Sequence, residues 1–239
     1  MVLPETIFKF KQFDVKQDKA TMKIGTDSVL LGAWAGIENP NEILDIGTGS
    51  GVLALMLAQR TDKALIHGVE IDQDAYEQAA ENFQHAAWSD RMRCFHMSIQ
   101  DFAYATEQQY DLIVCNPPFF TGGTLSDNLN RSQVRHTIKM AHGDLLIAVR
   151  KLLRKNGRFC VVLPYLEGIR FKEMAQSNGL FCNKILGIKP TLLKEVERLL
   201  MDFSYRPAEY NYKEITLRKE DSSWSTDYIN LTKDFYLHL

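Results

Sequence analysis

Asn116-Pro117-Pro118-Phe119 follows directly on the apolar run Asp111-Leu112-Ile113-Val114-Cys115. Two consecutive prolines fix two backbone φ angles and remove two N–H donors, so the turn ends the strand before it and holds one shape. Its carbonyls and the Asn116 side chain then form a rigid group of hydrogen-bond acceptors with an aromatic face beside them. That combination suits a planar ligand carrying an NH2 group: an adenine or cytosine amino group, or a glutamine amide. Asn-Pro is also an ordinary turn signal and Pro-Pro an ordinary loop breaker, so the tetrapeptide points to chemistry only with a partner elsewhere in the chain.

The partner lies upstream. Ile43-Leu44-Asp45-Ile46 reads as an apolar strand running into Gly47-Thr48-Gly49-Ser50-Gly51, followed by an apolar helix from Val52 to Ala58. Glycines at such a turn tolerate positive φ and let the backbone approach a ligand closely, as in nucleotide-binding turns at the ends of parallel strands. The spacing is Gly-x-Gly-x-Gly, whereas a dinucleotide site needs Gly-x-Gly-x-x-Gly, so nicotinamide and flavin binding are the weaker reading. A second strand, Ala64 to Ile71, carries Glu70 near its end, about 20 residues after the glycines, where an acid can bond both ribose hydroxyls. Glycine turns also form for packing alone, and strand-end acids often cap helices. The three features nevertheless follow in order at the ends of separate strands, which favours a site.

This constellation resembles the S-adenosylmethionine-dependent amino-methyltransferases, whose Rossmann-like fold has a glycine loop after strand one, an acid after strand two and an [Asn/Asp]-Pro-Pro-aromatic motif after strand four. The resemblance extends to Phe8-Lys9-Phe10-Lys11-Gln12-Phe13, to the stretch from Met22-Lys23-Ile24-Gly25-Thr26-Asp27 through Trp34, and to Leu231-Thr232-Lys233-Asp234-Phe235-Tyr236-Leu237. Together these are similar to the bacterial tRNA1(Val) adenine-N6 methyltransferase family, whose substrate is adenine 37, beside the anticodon. The resemblance implies S-adenosylmethionine as cofactor, with Asp45, Gly47, Thr48 and Gly49 along its methionine part and Glu70 at its ribose. It places the methyl acceptor at Asn116, Pro117, Pro118 and Phe119, with Asn116 also against the cofactor. Lys23, Gly25, Thr26 and Asp27 would belong to a lead-in, residues 1–40, that covers the cofactor pocket. Many relatives carry an acid after strand three to meet the cofactor's adenine, whereas this chain reads Met97-Ser98-Ile99-Gln100-Asp101. Either Asp101 substitutes from a shifted position, or Ser98 and the backbone do that work.

The chemistry these residues suit is direct methyl transfer to a neutral exocyclic nitrogen. An aromatic amine is a poor nucleophile because its lone pair is delocalised into the ring. Acceptance of its two N–H groups by the Asn116 oxygen and the Pro117 carbonyl turns the lone pair toward the methyl group and stabilises the developing charge. A nucleobase must leave its stack to arrive there, and Phe119 can replace the lost stacking at about 1–3 kcal/mol per base, with Phe120 packed inward or, with the two roles exchanged, itself meeting the base. Two rival functions share these residues: methylation of a protein glutamine amide, and a non-catalytic scaffold that binds cofactor and RNA or protein. DNA adenine methylation is a weaker variant, because no target-recognition segment is visible.

The 239 residues, 45% hydrophobic and 24% charged, fit one α/β domain spanning 1–239. Strands expected at 42–46, 64–71, 92–97, 110–115, 157–163, 181–188 and 198–205 alternate with helices at 50–60, 74–87, 144–155 and 167–178. That order gives a Rossmann-like, doubly wound, seven-stranded sheet of the class I methyltransferase kind, with a further strand near 212–217 and a short helix at 226–231. The loop 121–133, rich in Gly, Ser, Asn and Asp, is expected to order over substrate.

A net charge of −2 supplies no global field for nucleic acid, so RNA contact falls to local patches. Three are visible: Lys9, Lys11, Lys16, Lys19 and Lys23; Arg131, Arg135, His136, Lys139 and His142, the best RNA candidate; and Arg150, Lys151, Arg154, Lys155 and Arg158, which reads better as favourable charge at a helix end. Cys94, Cys115, Cys160 and Cys182 lack metal-site spacing and read as buried thiols, with no metal expected. The start carries no signal-peptide pattern and no run reaches membrane-spanning length, so a cytoplasmic monomer is expected. Phe119→Ala should abolish methyl transfer while leaving cofactor affinity within about twofold, by equilibrium binding, if the ring's role is stacking on the base.

Overall fold

The computed structural model describes residues 7–19, 23–118 and 142–238. A short antiparallel hairpin, β1 (Ile7–Lys9) and β2 (Asp14–Lys16), leads to helix α1 (Thr26–Trp34). Alternation then begins: β3 (Glu42–Ile46), α2 (Val52–Gln59), β4 (Leu65–Glu70), α3 (Gln73–His85), β5 (Met92–His96), α4 (Ile99–Ala105) and β6 (Tyr110–Cys115). After residues 119–141 come α5 (His142–Leu152), β7 (Leu153–Pro164), α6 (Tyr165–Ser177), β8 (Phe181–Thr191), β9 (Arg198–Ser204), β10 (Asn211–Arg218) and α7 (Thr226–Thr232). Strands β3 to β10 form one sheet in the order β10-β8-β9-β7-β6-β3-β4-β5, parallel except for β9, which runs antiparallel to both neighbours.

Both faces of the sheet are covered, and the strand sequences show why. In β3, Ile43 packs into the core beneath α1 and α2, whereas Leu44 and Ile46 pack into the core beneath α4, α5 and α6; in β6, Leu112 and Val114 take the first side and Ile113 and Cys115 the second. Alternate residues of a strand face opposite ways, so a continuous apolar run is the signature of a strand buried on both faces. Helix α2 is buried from Val52 through Ala58. The hairpin is fastened to the C-terminal segment by a Phe10–Tyr236 bridge, with the two rings' centroids 5.8 Å apart, and by Lys11 N–H donating to the Phe235 carbonyl at 2.8 Å.

All seven strands expected from the sequence are present, and the further strand near 212–217 joins them as β10, parallel to β8. The helix expected over 144–155 instead ends at Leu152, and the chain enters β7 at Leu153. The reason is tertiary: Leu153 pairs with Tyr110 and Arg158 with Leu112 across the sheet, and Arg154 donates to Asp111 at 2.7 Å and to Glu42 at 2.6 Å. Strand partners and two carboxylates override the helix propensity of Leu-Leu-Arg-Lys. The hairpin, α1 and α4 had no clear sequence signal. Phe119 and the loop 121–133 lie outside the described residues.

The chain leaves β3 toward β4 and β5 on one side, and returns through β6 and β7 on the other. The carboxyl ends of β3 and β6 therefore flank the point where strand order reverses, which in open α/β sheets is where ligands bind. The glycine turn and Asn116 lie at those two ends.

Candidate active site

The turn after β3 is made by glycines in left-handed conformations. Gly49 has φ +57° and open space where a side chain would stand. At Gly51, φ +85°, a Cβ would lie 2.6 Å from the Phe83 ring of α3, so this residue both turns the chain and lets α3 pack under the turn. The Gly47 and Thr48 amides donate to the Val69 carbonyl at 2.9 and 3.2 Å, fixing the turn against the end of β4.

Two carboxylates meet this turn on different terms. Glu70 accepts Gly49 N–H on Oε2 at 2.9 Å, and Ile71 and Asp72 N–H on Oε1 at 2.8 and 3.0 Å. Three of a carboxylate's roughly four acceptor positions are thus filled, and the remaining one, on Oε2, suits a single ligand hydroxyl. Asp45 is fully buried; its Oδ2 accepts the Thr48 hydroxyl at 2.6 Å, and its Oδ1 has no hydrogen-bond partner among the described residues. Burial pushes the Asp45 carboxyl up to about 7, with the Thr48 hydroxyl and the Ala54 backbone N–H opposing the rise and the Glu70 charge adding to it. A buried acceptor without a donor is costly, and it is best satisfied by a cation or N–H supplied from outside.

At the end of β6, Asn116 is held by a residue the sequence reading did not single out. Its Nδ2 donates to Ser28 Oγ, on α1, at 2.8 Å, while its Oδ1 is shielded from solvent and has no partner among the described residues. In this arrangement Ser28 Oγ takes the amide end of the side chain and leaves Oδ1 for another donor. The only local sign in the sequence is a hydroxyl one position after the lead-in motif, and the pairing across 88 residues becomes visible only in the fold.

The other expected site residues fall around this centre. Ser98 caps α4: its Oγ accepts Asp101 N–H at 3.0 Å and donates to Asp101 Oδ2 at 2.6 Å, so both sit together at the end of β5. Gly25 precedes Thr26 at the start of α1 and has open space beside it. Lys23 donates to the Gln17 carbonyl, and Asp27 accepts from Arg198 Nε on β9 at 3.0 Å, so neither is turned to the glycine turn.

Two of the basic patches are partly neutralised. Lys16 pairs with Glu81 at 2.5 Å and Lys19 with Glu77 at 3.6 Å. Arg154 holds Glu42 and Asp111, and Arg158 holds Asp202 and Glu38; of the patch expected at a helix end only Arg150 and Lys151 lie in the last turn of α5, while Arg154, Lys155 and Arg158 stand in β7, where strand pairing has ended the helix early. Of the middle patch only His142 is described, edge-on to the Phe171 ring at 5.1 Å. A polar cleft of about 430 Å3, lined in part by Lys155, Arg158, Asn183 and Asp202, opens at the amino ends of the strands, away from these motifs. The four cysteines are free; Cys115 and Cys160 are buried as expected, whereas Cys94 and Cys182 are only partly so, and desolvation pushes the Cys94 and Cys182 thiols up to about 12 and those of Cys115 and Cys160 well above the ordinary thiol value. Among the described residues no group of three or more His, Cys, Asp or Glu side chains could hold a metal, and no helix is long and apolar enough to cross a membrane.

Strand order, glycine turn, strand-end acid and Asn-Pro-Pro together define a class I methyltransferase. The same fold is found in a predicted O-methyltransferase of Agrobacterium tumefaciens (TM-score 0.69, 17% identity, 87% of this chain and 96% of that one). It also occurs in a ribosomal protein L11 methylase of Lactobacillus delbrueckii (TM-score 0.56, 17% identity, 81% and 84%). The Methyltransferase small domain family matches residues 21–170. A protein of Flavobacterium johnsoniae named tRNA1(Val) (adenine(37)-N6)-methyltransferase is 43% identical over 235 residues, covering 98% of this chain and 100% of its own. One of the same name from Proteus mirabilis is 42% identical over 236 residues, covering 97% and 94%. The chain belongs to the tRNA1(Val) (adenine(37)-N6)-methyltransferase family.

The Asp45 geometry has a measurable consequence. Its folded-state value lies above the ordinary 3.8, so this group favours folding below about pH 4 and loses that contribution as pH rises through about 7. A cationic ligand at Oδ1 reverses the preference and expels the proton. Cofactor affinity should therefore rise by up to about tenfold per unit between about pH 5.5 and 7 and level off above. Asp45→Asn should remove that slope; calorimetric titration in buffers of different ionisation enthalpy reads the released proton.

Proposed function

We propose that this chain transfers a methyl group from S-adenosylmethionine to the exocyclic N6 of adenine 37 in tRNA1(Val). The observation that carries the reading is the Asn116 carboxamide, with Nδ2 engaged by Ser28 and Oδ1 buried and vacant. An acceptor without a donor at the end of β6 is a position for an N–H group that arrives with the substrate.

The residues present fit the cofactor. Asp45 offers its unpartnered Oδ1 to the methionine ammonium, Glu70 has one acceptor position left for a ribose hydroxyl, and Gly49 and Gly25 border open space where side chains would otherwise stand. Ser98 and Asp101 close the side next to β5, where the adenine would lie, with Asp101 drawn onto Ser98 as a cap. The cofactor supplies an electrophilic methyl group on a sulfonium.

The remaining work belongs to the chain. Asn116 Oδ1 accepts one amino N–H of the flipped adenine, the Pro117 carbonyl accepts the other, and Pro117 and Pro118 hold both acceptors rigid. With both hydrogens so placed the nitrogen lone pair points at the methyl group, and the charge that develops on nitrogen meets two oxygens. The proton is lost to solvent after the bond to carbon has formed, so no strong base is required. Fixing the two reactants in line supplies roughly 7–11 kcal/mol in favourable cases, and Phe119 offers the base a stacking face. Action on valine tRNA, as a monomer and in the cytoplasm, goes with this reading.

The test is to incubate the pure protein with methyl-labelled S-adenosylmethionine and total tRNA from a strain lacking this protein, then to analyse nucleosides by mass spectrometry. New N6-methyladenosine at position 37 of a valine tRNA is expected; label on protein and none on tRNA would contradict the reading.

A further inference from the structure

Helix α3 carries a polar face that no motif of the site includes. Glu77, Gln78, Glu81 and Asn82 recur one and four residues apart, which places them on one side of the helix. That side meets the segment leading from β2 into α1. Asn82, almost fully buried, makes three hydrogen bonds: its Oδ1 accepts Lys16 N–H at 2.9 Å, and its Nδ2 donates to the Lys16 carbonyl at 2.9 Å and to the Ser50 carbonyl at 2.8 Å. Ser50 lies inside the glycine turn. One carboxamide thus bonds both the turn proposed to hold the cofactor and the backbone of the lead-in.

The neighbours extend the connection. Gln78, with no exposed surface, accepts Lys19 N–H on Oε1 at 2.9 Å. Gln17 accepts Ile24 N–H on Oε1 at 3.0 Å, drawing residues 17 and 24 together just before Gly25 and α1. Helix α1 then delivers Ser28 to Asn116. Main-chain groups that pair within a sheet or helix elsewhere are here satisfied by three buried side-chain amides, so the path of this segment depends on those amides rather than on secondary structure.

We infer that Asn82 is a positioning residue for methyl transfer, fastening the glycine turn to the lead-in so that occupation of the cofactor site and docking of Lys16, Gln17, Lys19 and Ile24 strengthen each other. This rests on the cofactor reading given above. Coupling of this kind is reciprocal: whatever the lead-in contributes to cofactor affinity, the cofactor returns as stability of the lead-in.

Amide hydrogen exchange with S-adenosylhomocysteine as the ligand tests it, together with steady-state kinetics. In the wild type, saturating ligand should slow exchange of the Lys16, Lys19 and Ile24 amides by about tenfold, a typical coupling. Asn82→Ala should abolish that protection and raise the cofactor KM by about tenfold, with kcat at saturation changed less than about twofold. Gln17→Ala, which leaves α3 untouched, should shift KM in the same direction. An Asn82→Ala protein that is less heat-stable but keeps the wild-type KM and protection would reduce Asn82 to a packing role and overturn the inference. So would a lead-in protected equally with and without ligand. Failure of the wild type to bind S-adenosylhomocysteine at all would overturn the cofactor reading and this inference with it.

Discussion

The hydrogen bond from Asn116 Nδ2 to Ser28 Oγ is the constraint on which the site depends. A carboxamide has a donor end and an acceptor end, and free rotation would present either to a substrate. With the Ser28 hydroxyl on the donor end, Oδ1 is the end left without a partner among the described residues, already desolvated. That oxygen cannot satisfy itself within the described structure, so the site stores an unmet acceptor until an N–H arrives. The rest of the fold serves to keep the two residues in register. β6 is buried on both faces and stopped by Pro117 and Pro118, α1 is packed on α2, and the doubly wound order brings the ends of β3 and β6 side by side.

The two acids near the glycine turn divide the labour of binding. Glu70 is satisfied mainly by backbone amides and so shapes the turn, tying Gly49 to the start of α3. Asp45 is buried with one oxygen unsatisfied, and burial raises its pKa to about 7. An acceptor held in that state discriminates in favour of a positively charged partner, because a neutral one would leave the cost of its ionisation uncompensated. On the proposed reading, Glu70, held by three backbone donors, shapes the turn, and Asp45, with one oxygen unpartnered among the described residues, recognises charge.

Much of the architecture was legible in the sequence, because strands buried on both faces announce themselves as apolar runs and because glycine and proline act on the backbone locally. The strand-to-turn motifs at 43–51 and 111–118 are of that kind. What was not legible depends on contacts between distant residues. Ser28 is an ordinary serine until α1 brings it to Asn116, and Asn82 an ordinary helix asparagine until β2 and Ser50 meet it. Helix α5 stops at Leu152 because β6 offers pairing partners and Arg154 finds Asp111 and Glu42, none of which a local window contains. Charge depends on such contacts in the same way: Lys16 and Lys19 stand in a basic cluster in the sequence, and the fold pairs them with Glu81 and Glu77 from α3.

The most direct test of this account is the single-turnover methyl-transfer rate, at saturating cofactor, across a Ser28→Ala and Asn116→Ala double-mutant cycle. If Ser28 acts by orienting Asn116, removal of Asn116 should cost on the order of 10²-fold or more. Ser28→Ala alone should cost a part of that, and the double variant should be no slower than Asn116→Ala. Losses that multiply, or a Ser28→Ala enzyme as fast as the wild type, would show that the carboxamide is not set by Ser28 and would contradict the central claim.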